Sequence, residues 1–345
     1  VIKYVSVRIN KWAKENDAWM AGYFMLGYAD DMVSIKNIDT SKETITTASA
    51  TMYGYGHGHP WTRWFGVNIL SELDDPGEYY IDREKGMLYF MYADKEIKSL
   101  TFSVLESPFI ILGKTSHVTI SGITFECSRG MGIAMDNTTN VTIRDCTFRN
   151  LGSLGITIGK GAEPLAHHYI EGVSAIRSGI IGSLQENLYA NTTLDREGGQ
   201  HNKITGCEFY QLGAGGVILG GGNKRTLEAG NNVVENCLFH DFTRIEKTYR
   251  PAVYITGAGN KVQHCEIYNT PNMALYLHGN NHLIAYNYIH NVCLEIEDQG
   301  AIYVGRDPSD RGSLIYHNYI ANIPDKFATR AIYEDDGACG VHVIG

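Results

Sequence analysis

The sequence predicts an all-β protein: a right-handed parallel β-helix, or solenoid, preceded by a small β-rich subdomain. Three observations carry that prediction. From Asn202 to Asn322 one phrase recurs, as NKITGCEFY, NNVVENCLFH, NKVQHCEIY, NHLIAYNYIH and GSLIYHNYI. Aligned at Cys207, Cys237, Cys265, Asn287 and Asn318, the phrases step by 30, 28, 22 and 31 residues. A period of that size marks a repeat architecture, whose units stack because none can bury its apolar face alone. A second phrase follows each first one, as GGVIL, PAVYITG, MALYLHG, GAIYVGR and RAIYEDD. Within both phrases apolar residues fall at every second position, the periodicity of strands. Glycine, asparagine and aspartate fill the joints, where positive φ or side-chain turns are needed. One coil of a parallel β-helix is built in this way, with equivalent residues about 4.8 Å apart up the stack.

Residues 1–104 lack the phrase and form the expected β-rich subdomain. All four tryptophans lie there, beside a glycine- and histidine-rich stretch from Tyr53 to Phe65. Asp75-Pro76-Gly77 and Glu84-Lys85-Gly86 mark turns between alternating segments. The subdomain is expected to cap the first coil's strand edges or to wall a groove. The solenoid occupies residues 105–345, with a degenerate coil near Tyr169 to Ile176. Polar, aperiodic stretches at 181–200 and from Gly220 read as loops thrown out from corners, and such excursions often gather on the binding face. The last phrase breaks off at HVIG. The chain therefore reads as a segment of a longer secreted or periplasmic protein whose targeting signal lies outside it.

A formal net charge of −9 without a lysine-arginine cluster argues against a nucleic-acid partner. No apolar run reaches membrane length. A monomer is expected. Seven cysteines suit a disulfide scaffold poorly. Cys146, Cys207, Cys237 and Cys265 occupy one position of the phrase and read as a column of buried, unpaired thiols, continued by Asn287 and Asn318. A column offers no converging ligands, so no metal site is expected there.

Superposing the second phrases gives an inward line of Val253, Leu275, Ile302 and Ile332. Beside it runs an exposed line of Tyr254, Tyr276, Tyr303 and Tyr333, either mutually packed rings or a platform for sugars. Two places farther lie Thr256, His278, Gly305 and Asp335, and next Gly257, Gly279, Arg306 and Asp336. Acidic corners recur on successive coils as LEIEDQG, GRDPSD and YEDDG. Acids crowded in that way are the usual means of keeping one carboxyl protonated beside an ionised one.

The phrases LDDPGEYYIDREKGMLYF, GGGNKRTL, TYRPAVYITGAGN, EDQGAIYVGRD and AIYEDDG resemble glycoside hydrolase family 141, a family of right-handed parallel β-helix proteins with α-L-fucosidase and xylanase activities. The resemblance implies a glycosidase, retaining or inverting, using Asp298 of EDQG with Asp335 or Asp336 of YEDDG. In straight strand Asp298 and Asp335 would lie about 23 Å apart at roughly 3.3 Å per residue, whereas glycosidase carboxyls need about 5 to 9.5 Å. The corner at Glu297-Asp298 must therefore fold back over the face, or Asp307 takes the place of Asp298. Tyr249, His278, Tyr303, Arg306 and Asp307 are the expected binding residues for an oligo- or polysaccharide, with no cofactor. A polysaccharide lyase or epimerase, which can need Ca²⁺ to neutralise a uronate, is the alternative enzyme; Arg225, Arg244, Arg250 and Arg306 keep it open. A non-catalytic carbohydrate-binding solenoid is the third reading.

Overall fold

The computed structural model describes residues 1–345 except 52, 57, 59, 93–96, 160–197 and 326–327. The chain divides into two compact units, with the boundary after Thr101. The expected degenerate coil near Tyr169 and most of the 181–200 excursion lie outside the described residues.

The first unit is built on an antiparallel sheet of five strands. Their order is Ile2–Lys3, Thr44–Thr47, Asp30–Asp39, Trp19–Tyr23 and Arg63–Val67. Ile2, Trp12, Met20, Phe24, Val33, Ile45 and Ile69 form its core. Trp12 packs edge-on against Trp64 with ring centroids 6.3 Å apart, and its indole N–H donates to Glu72 at 2.7 Å. At Gly22, φ is +135° and a Cβ would lie 2.4 Å from the Arg63 carbonyl oxygen, so the strand pair closes only over glycine. The expected Glu84-Lys85-Gly86 turn joins Tyr79–Asp82 to Met87–Phe90.

The second unit is a right-handed parallel β-helix. Each full coil gives one short strand to each of three parallel sheets. In one coil these are Lys203–Thr205 in sheet 1, Glu208–Tyr210 in sheet 2 and Val217–Leu219 in sheet 3. All three sheets pass directly from the coil at 142–158 to the coil at 203–219. Inward positions are apolar and register up the stack: Phe125, Phe148, Phe209 and Phe239 lie nearly parallel, with centroids 4.9, 4.8 and 4.6 Å apart. Val253, Leu275 and Ile302 pair in line and are fully buried. Ile332, on the last coil of sheet 3, is only half-buried.

Two polar columns run through the corners. Cys146, Cys207, Cys237 and Cys265 are buried, and all seven cysteines are free. Asn287 continues the column, accepting from the Cys265 N–H at 3.0 Å and donating to the Val262 carbonyl at 3.1 Å. Asn318 repeats the pattern one coil on. A second column lies one corner away. The Val141 N–H donates to the Asn202 side chain, Asn202 N–H to Asn232, Asn232 N–H to Asn260, Asn260 N–H to His282 and His282 N–H to Ser313, at 2.8 to 3.2 Å. Buried corners leave amide groups without a ladder partner, and these side chains satisfy them. His282 meets the constraint with Nδ1 accepting and Nε2–H donating to the His278 carbonyl at 2.9 Å. Its burial pushes the imidazole pKa down to about 4, so it stays neutral.

Candidate active site

The outer face of sheet 3 carries the residues singled out above, and three kinds of segment bring them together. Strands supply Tyr254, Tyr276, Tyr303, Tyr333 and Asp335, whose registers match the expected line. The connections from sheet 2 to sheet 3 supply Tyr249 and Asp298. Those from sheet 3 to sheet 1 supply Lys224, Arg306, Asp307 and Asp310.

The expectation of exposed tyrosines needs correction. Tyr276 is 4% exposed and Tyr303 has no accessible surface, because Tyr249 folds over both. The rings meet at steep angles: 69° between Tyr276 and Tyr303, and 86° between Tyr303 and Tyr333. Their hydroxyls, not their faces, define the site. Tyr303 donates to Asp335 Oδ2 at 2.7 Å, and its buried ring presents no open face in this structure. Tyr333 donates to Asp298 Oδ1 at 3.0 Å, and its ring lies 5.7 Å from that of Tyr303. Burial, the hydrogen bond to Asp298 and the charges of Asp298 and Asp335 together push the Tyr333 phenol up to about 12.

The backbone at Asp298 brings its carboxyl to the Tyr333 hydroxyl across the seven-residue register offset. Asp298 sits at φ +52°, a left-handed conformation that aspartate tolerates better than most residues. The corner folds back onto the sheet face, and the next residue, Gln299, resumes pairing through Arg330 N–H at 2.8 Å. Gln299 is 1% exposed, and its Oε1 has no hydrogen-bond partner among the described residues.

Arg306 donates to the Tyr249 hydroxyl at 3.2 Å and pairs with Asp336 at 3.4 Å. Asp336 is exposed, so of the two adjacent acids Asp335 is the one drawn into the tyrosine cluster. Asp307, the sequence's reserve for the carboxyl pair, is bound to Lys224 at 2.7 Å and caps its own turn by accepting from Ser309 N–H at 2.9 Å. Although burial works against its charge, these bonds hold its pKa down at about 2. A carboxyl so held stays ionised and is no proton donor near neutral pH.

Lys224 and Asp310 join the candidate site, and the sequence reading missed both. Lys224 ties the 220–230 excursion to the 306–312 turn by reaching both Asp307 and Asp310. Asp310 also accepts from the Gly279 N–H at 2.8 Å and from His278 Nδ1 at 2.7 Å. The signal was present in GRDPSD, but its second aspartate was read only as part of an acidic corner. Among the described residues, three candidate metal ligands gather only at Asp74, Asp75 and Glu78, an exposed turn of the first unit where Glu78 accepts the Asp74 and Asp75 N–H groups.

Comparisons with known proteins agree with the fold. The family described as right handed beta helix region matches residues 88–175. Comparison with curated proteins gives no match. A solved structure titled as a glycoside hydrolase superposes with a TM-score of 0.68 at 13% identity, over 98% of this chain and 71% of that one. An alginate lyase from a Paenibacillus species aligns at 14% identity over 71% of this chain and 77% of that one, with a TM-score of 0.39. At 13% identity the likeness to the glycoside hydrolase is one of fold.

Proposed function

We propose that this chain is a glycoside hydrolase acting on an uncharged plant or host glycan, fucosidase- or xylanase-like, with Asp298 and Asp335 as its carboxyl pair. The observation that carries the reading is the pair of neighbouring rings Tyr303 and Tyr333, 5.7 Å apart, whose hydroxyls donate to Asp335 and Asp298. Adjoining phenols hold the two carboxyls on one face, the arrangement in which glycosidases set a pair about 5 to 9.5 Å apart. One carboxyl protonates the leaving oxygen while the other acts as nucleophile or activates water. Asp336, exposed and paired with Arg306, fits the wall of such a site better than its centre.

A lyase acting on a uronate needs cationic charge to neutralise the sugar carboxylate. The cations on this face already have partners: Arg306 with Asp336, Lys224 with Asp307 and Asp310, and Arg250 with Glu246. Arg225 and Arg244 are engaged as well. That balance favours a neutral substrate and hydrolysis. The test is a product screen of this chain against neutral oligosaccharides, including xylo-oligosaccharides and fucosylated glycans, alongside polyuronates. New reducing ends without unsaturated sugar support the proposal. Ultraviolet-absorbing unsaturated ends would establish the lyase, and binding without turnover the non-catalytic solenoid.

A further inference from the structure

We propose that His278 forms a subsite for one unsubstituted sugar hydroxyl, with its Nε2 acting as a hydrogen-bond acceptor. The inference deepens the glycan reading above and rests on it for the class of ligand. It begins with Asp310, a carboxylate that is 3% exposed. One of its oxygens accepts from Lys224 Nζ and the Gly279 N–H, and the other faces His278 Nδ1 at 2.7 Å. Lys224 already supplies Asp310 with a cation, so the carboxylate needs only a neutral N–H from the imidazole. That places the proton on Nδ1 and leaves the lone pair on Nε2.

The ring is fixed on every other side. It lies against Tyr276 and edge-on to Tyr254, with centroids 4.6 and 5.8 Å away. Its backbone carbonyl is held by His282 Nε2–H. Among the described residues Nε2 has no hydrogen-bond partner, and it is not one of the sealed, unsatisfied atoms of the interior. An oriented acceptor open to solvent is what a sugar hydroxyl requires.

Its placement relates it to the carboxyl pair. Because Leu277 pairs with Val304, and Gly305 with Asp335, His278 and Asp335 occupy one line up the outer face with Gly305 between them. Two rungs separate their Cα atoms by roughly 9.6 Å, at about 4.8 Å per rung. Gly305 leaves the interval without a side chain. A Cβ there would lie 3.0 Å from the Asp335 carbonyl oxygen and 3.2 Å from the Tyr303 hydroxyl. The face thus presents a carboxylate and an imidazole acceptor with no side chain projecting from the buried glycine between them. An acceptor so placed selects a free hydroxyl and rejects the same position when it is O-methylated or O-acetylated, since the substituted oxygen has no proton to donate.

Two measurements test this. Long-range proton–nitrogen correlation on the ¹⁵N-histidine-labelled chain near neutral pH should show His278 with a protonated Nδ1 and an unprotonated Nε2. The reverse tautomer, or an imidazolium, would overturn the proposal without bearing on hydrolysis. The second measurement compares wild type, H278A and D298N on neutral aryl glycosides and on their singly O-methylated derivatives. H278A should lose roughly 10- to 100-fold in kcat/KM on the parent glycoside. It should lose nothing further on the one derivative whose methyl group blocks the recognised hydroxyl. An equal loss on every derivative, or no loss on any, rejects the subsite even where D298N is inactive and the hydrolase reading stands. If wild type hydrolyses none of them, the hydrolase reading falls. A titration of the His278 Nε2 resonance with the same glycosides then decides the subsite, a shift supporting it and its absence rejecting it.

Discussion

Sheets 2 and 3 both carry a ladder of aromatic rings on their outer faces, and the two ladders are built differently. On sheet 2, Tyr210, His240, Tyr268 and His290 stack nearly parallel, 7° to 8° from coplanar and 5.0 to 5.1 Å apart. Glu208 and Glu266 close the edges of the two histidines at 3.2 Å. The inner rings, His240 and Tyr268, have both faces covered by their neighbours, so the ladder is regular. On sheet 3 Tyr254 and Tyr276 still stack at 28°, but Tyr303 and Tyr333 turn steeply, Tyr249 covers Tyr276 and Tyr303, and the Tyr303 and Tyr333 hydroxyls go to Asp335 and Asp298. The same repeat and the same residue type therefore give a stacked ladder on one face and the candidate site on the other. Ring angle and hydroxyl destination separate them, and neither follows from spacing along the chain.

The largest expected effect would break this contrast if absent. D298N and D335N should each lower kcat by at least about 100-fold with an unchanged circular dichroism spectrum; full turnover in both would return the sheet 3 cluster to a packing role. Next, Leu275 lies beside Tyr276 on the same strand but points inward. L275A should cost about 2 to 5 kcal/mol in denaturant unfolding, and a loss below roughly 0.5 kcal/mol would mean the faces are reversed.

A third effect arises from the buried corner column under sheet 3. His282 has a folded pKa of about 4 against an ordinary 6.5. Its contribution is complete above about pH 6.5. As pH falls, the unfolded chain binds the proton first, and by about pH 4 roughly 3 kcal/mol of stability is lost. H282N, which restores the asparagine of the neighbouring coils, should flatten this part of the pH–stability curve. The smallest effects separate the two ladders directly. Y303F should lower turnover roughly 10-fold by removing one hydrogen bond to a carboxylate. Y268L on sheet 2 should cost about 0.5 to 1.5 kcal/mol of stability and leave turnover unchanged.

Much of the fold was legible because alternation and period are local properties. The Cys146 to Asn318 column and the inward Val253, Leu275 and Ile302 could be aligned by eye, and the coordinates repeat those alignments. The column of Asn202, Asn232, Asn260, His282 and Ser313 also opens each phrase, yet its chemistry varies, so residue identity concealed one shared task of satisfying buried amides. The site was legible in part. Asp298 and Asp335 stand out in the sequence, but only a left-handed corner at Asp298 brings its carboxyl to the Tyr333 hydroxyl, beside the Tyr303 hydroxyl that holds Asp335. The burial of Tyr276 and Tyr303 depends on where Tyr249 lands, which is a tertiary fact. Lys224 lies 83 residues before Asp307, and no periodicity links them.

The buried thiols make the solenoid report on its own opening. Burial raises the pKa of Cys146, Cys237 and Cys293 and so suppresses the reactive thiolate, whereas Cys127 and Cys339 are partly accessible. An alkylating reagent should therefore modify those two at once and the interior thiols only when their coil separates. Cys146, Cys207, Cys237 and Cys265 belong to four successive coils. Peptide-resolved alkylation rates would thus clock each coil separately, distinguishing a chain that peels from one end from one that melts as a block.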